Sequence, residues 1–102
     1  MSMELEQIRM YCAVAECLSF SEAARRLYVS HSTTCRAVAA LEAELGVRLL
    51  ERTKAAVRLT PAGELLQQEG TRLLHEADTL RRRLAAMGGI SDDEPNGKET
   101  EI

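Results

Sequence analysis

A chain of 102 residues allows one small core and little more. Apolar residues make up 45% but aromatics only 3%, so Leu, Ala and Val must build that core, which favours packed helices over a β-sandwich. The formal net charge of −3 speaks against a uniformly basic nucleic-acid binder and leaves room only for one whose cations are clustered.

The first predicted helix runs from Met3 to Cys17, where Leu5, Ile8, Tyr11 (or Cys12) and Ala15 recur at helical spacing and are expected to face the core. Leu18-Ser19-Phe20 reads as a turn with Phe20 as its apolar plug. Ser21 is the expected N-cap of a second helix ending at Leu27. Ala23, Ala24 and Leu27 share one face of it, and the two alanines let a neighbour approach closely. Arg25 and Arg26 lie outside, as a solvated face or as phosphate contacts. Tyr28-Val29-Ser30 breaks the pattern.

Ser30 then caps a third helix, His31 to Leu45, with Gly46 just past its end. Thr34, Val38, Leu41 and Leu45 point inward. Thr34 is polar at a buried position, so its methyl should pack while its hydroxyl bonds back to the Ser30 carbonyl. The outward set is His31, Ser32, Cys35, Arg36 and Ala39, with Thr33 beside them. Two short helices around a tight polar break form a helix-turn-helix, whose second helix enters the DNA major groove. Arg36 is the strongest base or phosphate contact on that face, because its fork pairs with guanine or clamps a phosphate.

After Gly46 the period changes. Val47 to Arg52 and Ala56 to Leu59, joined through Thr53-Lys54-Ala55, predict a small β-hairpin. Leu49, Leu50, Val57 and Leu59 would pin it to the body. Arg48, Arg52, Lys54 and Arg58 would point out, as a wing against phosphates or the minor groove. Thr60-Pro61 opens a long helix reaching about Met87, with Thr60 as N-cap and Glu64 expected to complete a capping box. Leu66, Leu73, Leu80 and Met87 recur every seventh residue, with Gly63, Gly70, Ala77 and Leu84 as the companion series. Leu65 is expected to cover the body near the start. The distal half is too long for a small body to cover. Homodimerisation is therefore expected, through Leu66, Gly70, Leu73, Ala77, Leu80, Leu84 and Met87. Arg81-Arg82-Arg83 reads as a solvated face.

Gly88-Gly89 ends the helix. Beyond it, five acidic residues against Lys98 hold a local −4, leaving +1 for the rest of the chain. The expected organisation is a DNA-binding domain over 1–60, a linker and dimerisation helix over 61–88 and a disordered acidic tail over 89–102. The fold class is mainly α: a winged helix-turn-helix, with a three-helix body and a small hairpin wing, followed by a long linker helix.

Cys12, Cys17 and Cys35 are odd in number and contain no C-x-x-C, which fits a reduced, cytoplasmic compartment. Cys12 and Cys17 read as packing and surface thiols. Cys35 has no resolving thiol nearby and reads as a small filler rather than a redox switch. His31 and His75 stand too far apart to suggest a metal site, and no His–Cys cluster is expected. No cofactor is called for. An acid–base pair, a nucleophile–base pair and a phosphate loop are all missing from the pattern, so no enzyme is expected. No apolar run approaches membrane-spanning length.

From Met3 to about Met87 the chain resembles the N-terminal domain of LysR-type transcriptional regulators. The resemblance rests on L-S-F-S-E-A-A-R-R-L, V-S-H-S-T-T-C-R, A-L-E-A-E-L-G-V-R-L-L-E-R-T and V-R-L-T-P-A-G, in that order. It implies a bacterial winged helix-turn-helix regulator that binds an interrupted inverted repeat of double-stranded promoter DNA as a dimer. Carried over by position, it implies base and phosphate contacts at His31, Ser32, Thr33, Cys35 and Arg36, and backbone contacts at Arg52 and Lys54. Members often carry Gln-Pro where His31-Ser32 stand and Ser where Cys35 stands, so a different operator preference is implied. Ala55 and Ala56 replace frequent basic wing residues, which implies weaker non-specific affinity. The family's C-terminal effector-binding domain has no counterpart in these residues, so no small-molecule effector is expected within this chain. The expected function is a sequence-specific DNA-binding regulator. The alternative is an interaction module that forms mixed dimers with a full-length relative and antagonises it.

Overall fold

The computed structural model describes residues 3–88, and the expected acidic tail over 89–102 lies outside the described residues. Four helices and one hairpin follow in order: α1 (Leu5–Cys17), α2 (Phe20–Leu27), α3 (His31–Leu45), β1 (Leu50–Arg52), β2 (Val57–Leu59) and α4 (Pro61–Gly88). The mainly helical winged helix-turn-helix with a long following helix is the fold expected from the sequence.

α1 starts later than predicted. Gln7 Oε1 accepts the Glu4 backbone N–H at 3.0 Å and fixes the entry. Ile8, Tyr11 and Ala15 are buried as expected, whereas Leu5 is 46% exposed. Leu5 stands in the first turn of α1, where the described residues cover it only in part. Leu18 closes α1 in the left-handed region, with φ 54°.

The cap of α2 is Ser19, not Ser21. Ser19 Oγ accepts the Glu22 backbone N–H at 3.0 Å, and Phe20 is already the first helical residue. Ser21 stands exposed inside the first turn. The physical reason is the position of Glu22. Capping at Ser19 gives S-x-x-E, with an acidic residue on the third helical position near the positive helix end. Tyr28 terminates α2 in the left-handed region, with φ 59°.

α3 has the predicted bounds. Ser30 Oγ accepts the Thr33 N–H at 3.1 Å, and Gly46 ends the helix with φ 71°, a conformation glycine adopts without steric cost. Thr34 is fully buried, and its hydroxyl donates to the Ser30 carbonyl at 3.3 Å. That bond is long and bends back on the helix's own backbone, so it adds little. Thr34→Val should leave the melting temperature unchanged or slightly higher in a thermal melt, and a clear drop would show that the hydroxyl matters. Leu45, expected inside, is 41% exposed because the last turn of α3 runs beyond the elements that cover Val38 and Leu41.

Tyr11, Val14, Val38, Leu41, Leu49 and Leu50 form the centre of the core. α1 lies against all three other helices. The hairpin is shorter than predicted, pairing Leu50 with Leu59 and Arg52 with Val57 in antiparallel register. Its root is tied down from three directions. Glu42 Oε2, on α3, accepts the backbone N–H of Leu49 at 2.8 Å and of Leu50 at 3.2 Å. Thr60 Oγ1 donates to the Arg48 carbonyl at 2.6 Å, and the Thr60 N–H donates to the Leu49 carbonyl at 3.1 Å. The Tyr11 hydroxyl, on α1, donates to the Gly63 carbonyl at 2.8 Å in a buried position. Burial pushes the Tyr11 phenol up, so it stays neutral and keeps donating.

Thr60 is the cap of α4, accepting the Gly63 N–H at 3.0 Å. The expected capping box with Glu64 does not form. With Pro61 in the first helical position, Glu64 is the fourth helical residue, one too late to reach back, and the Thr60 N–H is already bonded to Leu49. A 28-residue helix is about 42 Å long, most of the 56 Å long axis of the molecule. Its two halves differ. Gly63 and Gly70 are buried against α1 and the hairpin root, and Leu66 packs on the core. Leu65, expected to cover the body, is 61% exposed. Leu66 takes that role one position later. Among the described residues, no helix is long and apolar enough to cross a membrane.

Candidate nucleic-acid interface

The exposed end of the helix-turn-helix is built by the first two turns of α3, the start of α2 and the wing. Ser30 organises the α3 end. Its hydroxyl lies 2.7 Å from Thr33 Oγ1 and 3.2 Å from Ser32 Oγ, so the cap and two candidate contact residues share one hydrogen-bonded cluster. His31, Ser32 and Arg36 are exposed, while Thr33 and Cys35 are half-buried. Arg36 makes no ion pair with any described residue. Its guanidinium therefore keeps all its donors for a ligand.

Phe20, the single phenylalanine of the chain, joins this face to the wing. The His31 ring lies 6.2 Å from the Phe20 ring, centroid to centroid and tilted by 60°. The Arg52 guanidinium carbon sits 4.3 Å from the same centroid, a cation–π contact. Arg52 is thus held in place rather than extended freely. An open cleft of about 320 Å³ lies between His31, Phe20 and the wing tip at Lys54 and Ala55. The tip turn is closed by Thr53, whose Oγ1 accepts the Ala55 and Ala56 N–H groups, both at 3.1 Å.

The predicted cations separate into two groups. Arg52 and Lys54 border the cleft or its rim, and Arg58 projects from β2 opposite Glu51. Arg48 instead turns back to Glu42 at 3.8 Å. Arg25 pairs with Glu22 at 3.2 Å and Arg26 with Glu16 at 2.5 Å, both on the surface, which neutralises much of the outer side of α2. Sequence reasoning missed Glu42 and Phe20 as organisers of this face. Glu42 follows Val38 by four residues, so its place on the inner side of α3 was available from the period. Its backbone partners, seven and eight residues on, were not. Cys35 Sγ lies 3.7 Å from His31 Nδ1, because residues four apart face each other on a helix. Among the described residues no group of three or more His, Cys, Asp or Glu side chains is placed to hold a metal ion.

The expected dimer seam is also corrected in part. Gly70 is buried: a Cβ there would stand 2.9 Å from Ile8 Cγ2 and 3.3 Å from Cys12 Sγ. Leu66 likewise packs on its own core. Both belong to the contact with α1, because the proximal half of the heptad stripe faces the body. Leu73, Leu80, Leu84 and Met87 are 44%, 55%, 57% and 82% exposed, and Ala77 is half-buried. Arg81 and Arg82 both pair with Asp78 on the helix surface, and Arg81 holds that carboxyl below its usual range.

The profile of the bacterial regulatory helix-turn-helix proteins of the lysR family matches residues 5–64. The chain is 44% identical over 92 residues to the HTH-type transcriptional regulator ClcR of Pseudomonas putida, covering 88% of this chain and 31% of ClcR. It therefore spans about a third of the length of that relative. Among solved structures, the BenM DNA-binding domain in complex with catB site 1 DNA matches with a TM-score of 0.81 and 34% identity, covering 84% of this chain and 96% of that one. The CbnR DNA-binding domain in its DNA complex matches with a TM-score of 0.78 and 39% identity, covering 82% and 97%. With the profile spanning more than half of its residues and the fold shared with these DNA-binding domains, the chain belongs to the LysR family of bacterial regulatory helix-turn-helix proteins.

Proposed function

We propose that this chain is a sequence-specific DNA-binding transcriptional regulator acting in the cytoplasm. α3 enters the major groove, with His31, Ser32, Thr33, Cys35 and Arg36 toward bases and phosphates. Arg52, Lys54 and Arg58 of the wing lie toward the adjacent backbone. The observation that carries this reading is Arg36, exposed and without an ion pair among the described residues, on a short polar helix face beside the wing. The solved DNA complexes of the BenM and CbnR domains support it. Two chains pair through the distal half of α4, with Leu73, Ala77, Leu80, Leu84 and Met87 as the seam, and together read an interrupted inverted repeat. Exposed leucines at heptad spacing support that pairing.

The test combines sedimentation with DNA binding. The wild-type chain should sediment as a dimer and bind duplex DNA with an affinity that falls steeply as salt rises. Leu80→Glu with Leu84→Glu should give a folded monomer with at least about tenfold weaker binding, because half of the paired contact is lost. A wild-type monomer, or DNA binding indifferent to the double substitution, would contradict the dimer. A chain that pairs with a full-length relative but binds no DNA would favour the mixed-dimer module instead.

A further inference from the structure

We propose that Phe20 is a positioning residue for DNA binding, whose ring holds Arg52 of the wing ready for a backbone phosphate without cancelling its charge. The inference rests on the function proposed above. Phe20 is only 7% exposed, so it offers DNA almost no surface of its own and acts through Arg52.

How an arginine is held decides what it can still do. Arg25, Arg26 and Arg48 each face a carboxylate, on Glu22, Glu16 and Glu42 respectively. Such a partner offsets the positive charge and competes for the N–H donors that a phosphate would use. Arg52 has no carboxylate partner among the described residues. Its guanidinium carbon lies over the Phe20 ring instead, 4.3 Å from the centroid. The ring attracts a cation through its negative π face and has no net charge. The guanidinium therefore keeps its full charge and its fork of donors.

The platform is itself fixed. Phe20 opens α2 directly after the Ser19 cap and belongs to the core cluster. Arg52 ends β1, and the ring of His31, the first residue of α3, lies 6.2 Å from the same Phe20 ring. One buried side chain thus meets both the wing and the start of the recognition helix. An arginine without this support would have to be ordered when it meets phosphate, which weakens binding by about two- to tenfold. The charge would still reach the phosphate, so affinity should fall with the salt slope unchanged.

Phe20 is the only phenylalanine of the chain, so biosynthetic replacement by mono-, di- and trifluorophenylalanine alters this ring alone. Fluorine drains the negative π face while nearly keeping the ring's shape. The full chain and its Arg52→Ala variant, each with the fluorinated series, are titrated with a duplex of mixed sequence at low salt, where both bind measurably. In the wild-type background affinity should fall stepwise, by about two- to tenfold at three fluorines, with an unchanged salt slope. In Arg52→Ala the slope should be lower by about 1 and the fluorinated series should be flat. Affinity indifferent to fluorination, or an equal fall in both backgrounds, would overturn the proposal, since a ring that only packs acts without Arg52. Thermal melts confirm that every protein compared is folded.

A second readout needs no DNA. In nuclear magnetic resonance of the free chain, the ring should shift the Arg52 side-chain proton signals upfield, and Phe20→Leu should return them to ordinary positions. Ordinary positions in the wild type would overturn the positioning role. A wild-type chain that shows the shift but binds no duplex would count against the function proposed above, and with it against any part for Phe20 in DNA binding, while leaving the Arg52–Phe20 contact established.

Discussion

Gly63→Ala should destabilise the chain by about 3 kcal/mol or more, which lowers the melting temperature by about 12 °C or more for a domain of this size. A Cβ at this position would stand inside the contact distance of the Leu49 carbonyl oxygen and 2.6 Å from the Tyr11 hydroxyl. The first of these is backbone and is already bonded to the Thr60 N–H, so it cannot swing aside. Relief requires α4 to move away from the hairpin root, and that breaks the Tyr11 bond to the Gly63 carbonyl. Gly46→Ala is the control. Gly46 has nothing within 4 Å of its would-be Cβ and is needed only for its positive φ, so the cost should be about 1 kcal/mol. Thermal melts of the two variants at equal concentration check this. Equal shifts would show that α4 is not seated against the wing root.

Arg36→Ala should weaken binding to the preferred duplex by about 5- to 100-fold, the range for losing a bidentate base contact. Binding to random duplex should change much less, and the salt slope should stay the same. Anisotropy titrations at several salt concentrations separate this from a phosphate clamp, whose loss would weaken all duplexes alike and reduce the slope by about 1. Arg81→Ala is the control, since Arg81 pairs with Asp78 on a distant turn of α4. Unchanged affinity in Arg36→Ala would remove the strongest contact from the proposed face.

Local rules carried most of the fold. Ser30, Gly46 and Thr60-Pro61 fix the ends of α3 and the start of α4, and each is a statement about a few neighbouring residues. Ser21 failed for an instructive reason. Two serines flank Phe20, and only Ser19 places Glu22 on the third helical position. Leu5 and Leu45 obey the helical period yet stay exposed, because period reports direction and not whether anything lies there. The heptad stripe of α4 has the same ambiguity. It is one pattern in sequence, but its proximal half packs on α1 and the core while Leu80, Leu84 and Met87 of its distal half stand exposed.

The candidate interface was legible to a similar depth. The outward residues of α3 follow from the inward ones. The linkage of Arg52 and His31 through Phe20 does not, because it joins three elements and depends on how the wing folds back. The His31–Cys35 contact was within reach of the spacing rule for residues four apart.

The central question is whether α3 reads sequence. Selection from a pool of randomised duplexes tests that directly, with the wild-type chain and Arg36→Ala run in parallel. The wild type should enrich an inverted repeat whose half-site centres are one or more helical turns apart, about 10–10.5 base pairs each. Arg36→Ala should fail to enrich the same half-site. Enrichment of no common sequence by the wild type, or of the same repeat by both chains, would contradict it.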